Sequence, residues 1–118
     1  MKKEMVKKPW GKFEQFTLNE MTTVKIHTVK PKQKLSLQYH NNREEFWKFL
    51  DNPAKVTIGK KTFKVGGGDE VFIKKRQIHR VQALSKPVRM LEIAFGKFDE
   101  NDIVRLEDAY GRIAVNNR

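Results

Sequence analysis

The chain has 118 residues, with 25 Lys+Arg against 14 Asp+Glu, a formal net charge of +11 and no cysteine. That length suits one domain with a modest core. The missing cysteines exclude a disulfide framework and thiolate chemistry, and the short apolar runs leave no candidate membrane-spanning helix. The charged start, Met1 to Lys8, lacks the apolar stretch of a secretory leader, so a cytoplasmic protein is expected.

The charge favours anionic partners, whether phosphorylated metabolites, nucleic acid or anionic lipid. It comes in short clusters, such as Lys60-Lys61 and Lys74-Lys75-Arg76, without a recognition helix or interleaved aromatics. Neither specific nucleic-acid binding nor a membrane partner is therefore expected, and most of these lysines read as a solvated surface.

In chain order, residues 1–8 read approximately as a basic N-terminal tail or arm. Period-2 alternation with β-branched and aromatic residues then dominates from about Met21 to Phe95. Thr23–Val29 reads as a strand with Val24 and Ile26 on one side and Lys25 and His27 on the other; Pro31 ends it. Leu35–Tyr39 and Glu45–Leu50 follow, then a turn at Asp51-Asn52-Pro53. Ala54–Ile58 and Thr62–Val65 form a hairpin around Gly59-Lys60-Lys61. Gly66-Gly67-Gly68-Asp69 is a loop that needs unusual backbone angles or a close approach, and it lacks the spacing of a phosphate-binding loop. Glu70–Ile73, Ile78–Leu84 and Val88–Phe95 complete the strands. Asn101–Ala109 is the one helical candidate. Seven or eight short strands at this spacing predict a sandwich or barrel.

The chemistry concentrates at Gln38-Tyr39-His40. On an extended strand Gln38 and His40 face the same way. Glu45 follows after the turn-prone Asn41-Asn42, and His79 sits at another strand. Gln38, His40, Glu45 and His79 on one face make a mixed N/O set for a divalent transition metal. The competing reading is two half-exposed histidines making ordinary hydrogen bonds. His27 reads as structural or surface, with no carboxylate near it in sequence. Trp10 and Trp47 either line a sugar site or pack the core. Arg105 and Arg112 are either the charged face of a surface helix or bidentate forks for phosphate. Lys74 and Arg76, just before His79, are placed to recruit an anion.

Together these residues resemble the cupin domain of type II phosphomannose isomerases, which forms the C-terminal part of bifunctional mannose-6-phosphate isomerase/mannose-1-phosphate guanylyltransferases. Pro9-Trp10-Gly11, Val29-Lys30-Pro31, the run Leu35 to Trp47 with Arg43 within it, and Ile73 with His79-Arg80 carry the likeness. So do Glu92, Gly96, Asp102-Ile103-Val104-Arg105, Asp108 and Tyr110-Gly111-Arg112. Asn42 and Phe46 stand where the family has histidines, and Lys74 and Arg76 where it has proline and glycine.

The resemblance implies an all-β cupin double-stranded β-helix, a jelly-roll barrel over residues 1–118, with the Asn101–Ala109 helix at its C-terminal end. It implies a divalent metal (Zn, Mn or Co) on Gln38, His40, Glu45 and His79, and interconversion of mannose 6-phosphate and fructose 6-phosphate. Arg105 and Arg112 then act on phosphate or enediolate, and Arg43, Lys74, Arg76 and Trp47 bind substrate. A non-catalytic sugar-phosphate or sugar-nucleotide binding cupin remains the alternative. At 118 residues there is no room for a guanylyltransferase, so in GDP-mannose biosynthesis that step would fall to another polypeptide. Cupin barrels often pair through exposed strands, so a homodimer is an expected assembly, although no residue specifies it.

Overall fold

The computed structural model describes residues 1–113, which contain eleven strands and no helix. They are β1 (Glu4–Lys8), β2 (Gly11–Gln15), β3 (Thr22–Val29), β4 (Leu37–Tyr39), β5 (Glu45–Phe49), β6 (Ala54–Ile58), β7 (Lys61–Val65), β8 (Glu70–Ile73), β9 (His79–Ala83), β10 (Val88–Phe95) and β11 (Val104–Glu107). A four-stranded sheet runs β3-β10-β5-β8 and a five-stranded sheet runs β11-β4-β9-β6-β7, every pairing antiparallel. The two sheets form a β-sandwich, and their inner faces share one core that includes Val29, Phe49, Val56, Ile73, Val81, Val88 and Met90.

The expected all-β barrel is therefore present, and one local expectation is corrected. Asn101–Ala109 is not a helix: Val104 and Arg105 pair with Tyr39 and Gln38, so this stretch closes the edge of the five-stranded sheet as β11. An open neighbouring strand edge outweighs a weak helical pattern. The basic N-terminal stretch pairs as a hairpin, Glu4–Lys8 with Gly11–Gln15. Phe16, just beyond it, packs against Phe46 with ring centroids 5.3 Å apart, and Lys3 bonds to both Glu14 and Glu70.

Register gives each inner face a polar end and an apolar end. On β5 the inward residues are Glu45, Trp47 and Phe49; on β10, facing them, are Ala94, Glu92 and Met90. On β3, Lys25 and His27 share the inner face with Val29, whereas Val24 and Ile26 point outward and are 56% and 52% exposed. Two apolar residues of β3 thus face solvent on an edge strand.

Within the glycine run, Gly67 is held to glycine by space and Gly68 by its positive φ of 91°. A Cβ there would lie 2.7 Å from the backbone oxygen of Asp51, whereas one at Gly66 would meet nothing within 4 Å. Gly67→Ala is expected to cost about 1–3 kcal/mol through this clash, and Gly66→Ala within about 0.5 kcal/mol; urea denaturation of the two variants checks the difference.

Candidate metal centre

The polar end of the barrel is a recess of about 240 Å³. His40 just after β4, Glu45 at the start of β5 and His79 at the start of β9 converge in it, all three buried. The His40 Nδ1 donates to the Asp102 carbonyl oxygen at 2.6 Å, and the His79 Nδ1 to the Gln77 carbonyl oxygen at 2.8 Å. A carbonyl only accepts, so each Nδ1 carries the proton and each Nε2 keeps its lone pair. Those lone pairs face Glu45: His40 Nε2 lies 3.3 Å from Oε2 and His79 Nε2 3.9 Å from Oε1. Burial, above all, lowers both imidazoles below the usual histidine range, which keeps them neutral.

The Glu45 carboxyl is raised, first by burial and then by the negative charge of Glu92. Arg43 opposes this, donating Nε to Oε2 at 2.9 Å, and Trp47 Nε1 donates to Oε1 at 3.2 Å. Arg43 is itself anchored by the Asp99 carbonyl and by the Phe98 ring, and its Nη2 lies 3.4 Å from His40 Nε2.

The donor set fits a divalent metal. Two neutral imidazole nitrogens and a carboxylate oxygen, all within 4.8 Å of one another, match ligands that each reach about 2.0–2.2 Å to a shared ion. Backbone carbonyls on both Nδ1 atoms are the outer partners that metal-bound histidines use.

Gln38 is paired with His79 across β4 and β9 and lines the recess, beside the three clustered donors. Asn42 stays outside it: the turn is held by Asp102, whose carboxylate accepts from the Asn41 and Asn42 amides at 2.8 and 2.9 Å. Arg105, opposite Gln38, lines the recess, as does Arg112. Arg112 is held by Asp108 at 2.8 and 2.9 Å, a contact that keeps the Asp108 carboxyl at about 2. Trp47 forms part of the wall, its ring edge-on to His79. Lys74 and Arg76 do not line the recess; they lie exposed on the β8–β9 turn, where the Arg76 amide donates to the His40 carbonyl at 2.7 Å.

Two residues of the recess received no site role from the sequence. Glu92 is buried on β10, and His27 donates or accepts through Nε2 to its Oε1 at 3.1 Å. His27 is thus part of the site wall, not a surface residue. Besides its place among the residues that carry the family likeness, Glu92 is marked in the sequence as an acidic residue inside the largely apolar run Val88–Phe95. Lys25 completes this side, bonded to Glu100 and stacked on Phe98.

The family model described as "Mannose-6-phosphate isomerase C-terminal" matches residues 1–108. The chain is 38% identical over 111 residues to the alginate biosynthesis protein AlgA of Pseudomonas aeruginosa, covering 92% of this chain and 23% of that protein. It is 36% identical over 110 residues to the mannose-1-phosphate guanylyltransferase ManC of Salmonella typhimurium, again covering 92% and 23%. The chain thus spans about a quarter of the length of these curated relatives. Among solved structures, oxalate decarboxylase from Bacillus subtilis superimposes with a TM-score of 0.66 at 27% identity, over 74% of this chain and 24% of that one. The shared architecture is the cupin double-stranded β-helix. No helix among the described residues is long and apolar enough to cross a membrane.

The His27–Glu92 pair gives a pH dependence with a definite sign. Its hydrogen bond to Glu92 is the main cause raising His27 above its ordinary 6.5, outweighing burial. The stabilisation is therefore complete below about pH 6.5 and fades as pH rises through the higher folded value. His27→Gln is expected to lower the melting temperature by about 4 °C at pH 6, equivalent to about 1 kcal/mol, and by less at pH 9. Thermal melts of both proteins across that range check it.

Proposed function

The chain belongs to the mannose-6-phosphate isomerase C-terminal family, and from that premise we propose that it is a metal-dependent isomerase interconverting mannose 6-phosphate and fructose 6-phosphate. The observation that carries the reading is the tautomer lock. Two buried imidazoles, each tied at Nδ1 to a backbone carbonyl, turn Nε2 toward a buried carboxylate.

His40, Glu45 and His79 hold the metal, with Gln38 beside them as the fourth ligand. A divalent ion bound there supplies Lewis-acid polarisation of the sugar oxygens at C1 and C2. The chain's own groups do the rest. Aldose–ketose exchange moves one proton between neighbouring carbons, which needs a base able to take it and return it. Glu92, oriented by His27 and lining the same recess, is the carboxylate we assign to this transfer. Arg105 and Arg112 bring positive charge to the oxygens that become more negative during the reaction. Trp47 and Phe98 narrow the recess and limit the water around the reacting carbons. A chain of this kind would contribute to GDP-mannose biosynthesis alongside a guanylyltransferase.

One observation favours a second reading, a non-catalytic sugar-phosphate or sugar-nucleotide binding cupin. Arg43 already sets its guanidinium on Glu45 Oε2 and near His40 Nε2, so the buried carboxylate has a counter-charge within the protein.

Metal analysis of the purified chain, followed by assay of mannose 6-phosphate conversion with Zn, Mn and Co, separates the two. Under the isomerase reading the protein carries near-stoichiometric metal, and His40→Ala lowers turnover more than about 100-fold. Protein that stays empty and inert with every metal, yet binds mannose 6-phosphate, would be the binding module. In the active protein, Glu92→Gln is expected to reduce kcat by about 100-fold or more with KM little changed; parallel loss of metal would instead make Glu92 a support of the metal site.

A further inference from the structure

A second recess opens beside the metal centre, between the end of β3, the following loop and the C-terminal stretch around Tyr110. At about 570 Å³ it is the larger of the two, and His27, Leu35 and Arg112 line both. The inner recess, at about 240 Å³, falls below the roughly 300–1,000 Å³ usual for ligand sites, while the outer one lies within that range. A ligand touching the metal donors and larger than a sugar ring must therefore extend outward.

The chemistry of the outer wall is one-sided. It carries Lys30, Lys34 and Arg112 and no carboxylate. Asp108, the partner of Arg112, lies outside this lining. Neither Lys30 nor Lys34 makes an ion pair among the described residues. Tyr110 donates its hydroxyl hydrogen to Gln33 Oε1 at 2.5 Å. That bond occupies the acceptor end of the Gln33 amide and leaves its NH₂ as a donor. Two ammonium groups, the Arg112 Nη1 that Asp108 does not bond, and an amide NH₂ around one space suit a group with several acceptor oxygens and more than one negative charge.

We infer that the outer recess is a phosphoryl subsite, in which Lys30, Lys34 and Arg112 take the phosphate of a sugar whose ring lies at the metal centre. The inference rests on the reading of the inner recess as a sugar site, and it moves anion recruitment from Lys74 and Arg76 to Lys30 and Lys34. It also makes the subsite depend on β3 and its loop together with the C-terminal stretch, so that the phosphate bridges segments about eighty residues apart in sequence.

The test is calorimetric titration of the metal-loaded full chain with inorganic phosphate, mannose and mannose 6-phosphate at one fixed ionic strength. Lys30→Ala/Lys34→Ala is compared with Lys60→Ala/Lys61→Ala, which removes the same charge from the exposed β6–β7 turn. The subsite variant is expected to bind both phosphorylated probes at least about tenfold more weakly, because it loses two charge-assisted contacts. The control pair should change by less than about twofold, as loss of net charge alone acts weakly and through screening.

Equal weakening by both lysine pairs would overturn the inference, leaving only the general attraction of a basic protein. Mannose 6-phosphate turnover with no loss in the Lys30→Ala/Lys34→Ala protein would overturn it too, while the isomerase stood. Phosphate binding that depends on Lys30 and Lys34 in a protein inert toward mannose 6-phosphate would support the subsite and remove the isomerase.

Discussion

The arrangement of the polar end turns on one buried carboxylate. Glu45 is 1% exposed, and an ionised carboxylate without compensation at such depth is strongly disfavoured. Two side chains answer it by donating, Arg43 and Trp47, while His40 and His79 bring neutral Nε2 lone pairs beside it. Each of these is in turn fixed by something else. Arg43 leans on Asp99 and Phe98, His40 on the Asp102 carbonyl, and His79 on the Gln77 carbonyl. The stretch around Asp99–Asp102, which crosses the barrel mouth far from Glu45 in sequence, is therefore held in the same network. Asp102 serves it twice, through its carbonyl on His40 and its carboxylate on the turn that leads to Arg43.

This explains why the donor set was legible in the sequence and its surroundings were not. The Gln38/His40 spacing is a local property of an extended strand, and Glu45 lies one turn beyond it. His79 begins another strand whose alternation is plain. By contrast, the meeting of His27 with Glu92 is a consequence of β3 lying beside β10 in a particular register. Nothing near either residue announces a partner 65 positions away. The same holds for β11. Its charges at helix-like intervals favour a helix in isolation, but the free edge of β4 offers hydrogen bonds that a short exposed helix cannot match. Lys74 and Arg76 lie next to His79 in sequence but outside the recess for a related reason. A strand turns successive side chains away from each other, and a tight turn carries its charges outward.

The inner face divides the labour of the barrel along its axis. Phe49, Met90, Val29 and Ala83 fill one end, while Glu45, Glu92, His27 and His79 occupy the other. Single strands contribute to both ends, so the packed end fixes the register that aligns the polar one. Trp47 is the joint between them, buried among apolar rings on one side and bonded to Glu45 on the other. Cohesion comes mainly from the apolar half, and the polar half is held in place by it at some cost in desolvation.

The outward Val24 and Ile26 on β3 give the net charge a second meaning. An edge strand with exposed apolar side chains is a template on which a second strand can add. A charge of +11 keeps copies of the chain apart by mutual repulsion, which acts over about 10 Å at 0.1 M salt and about 3 Å at 1 M. Colloidal behaviour should thus run opposite to that of a protein held together by ion pairs: dilute buffer keeps the molecules dispersed, and concentrated salt brings their β3 edges within reach of one another.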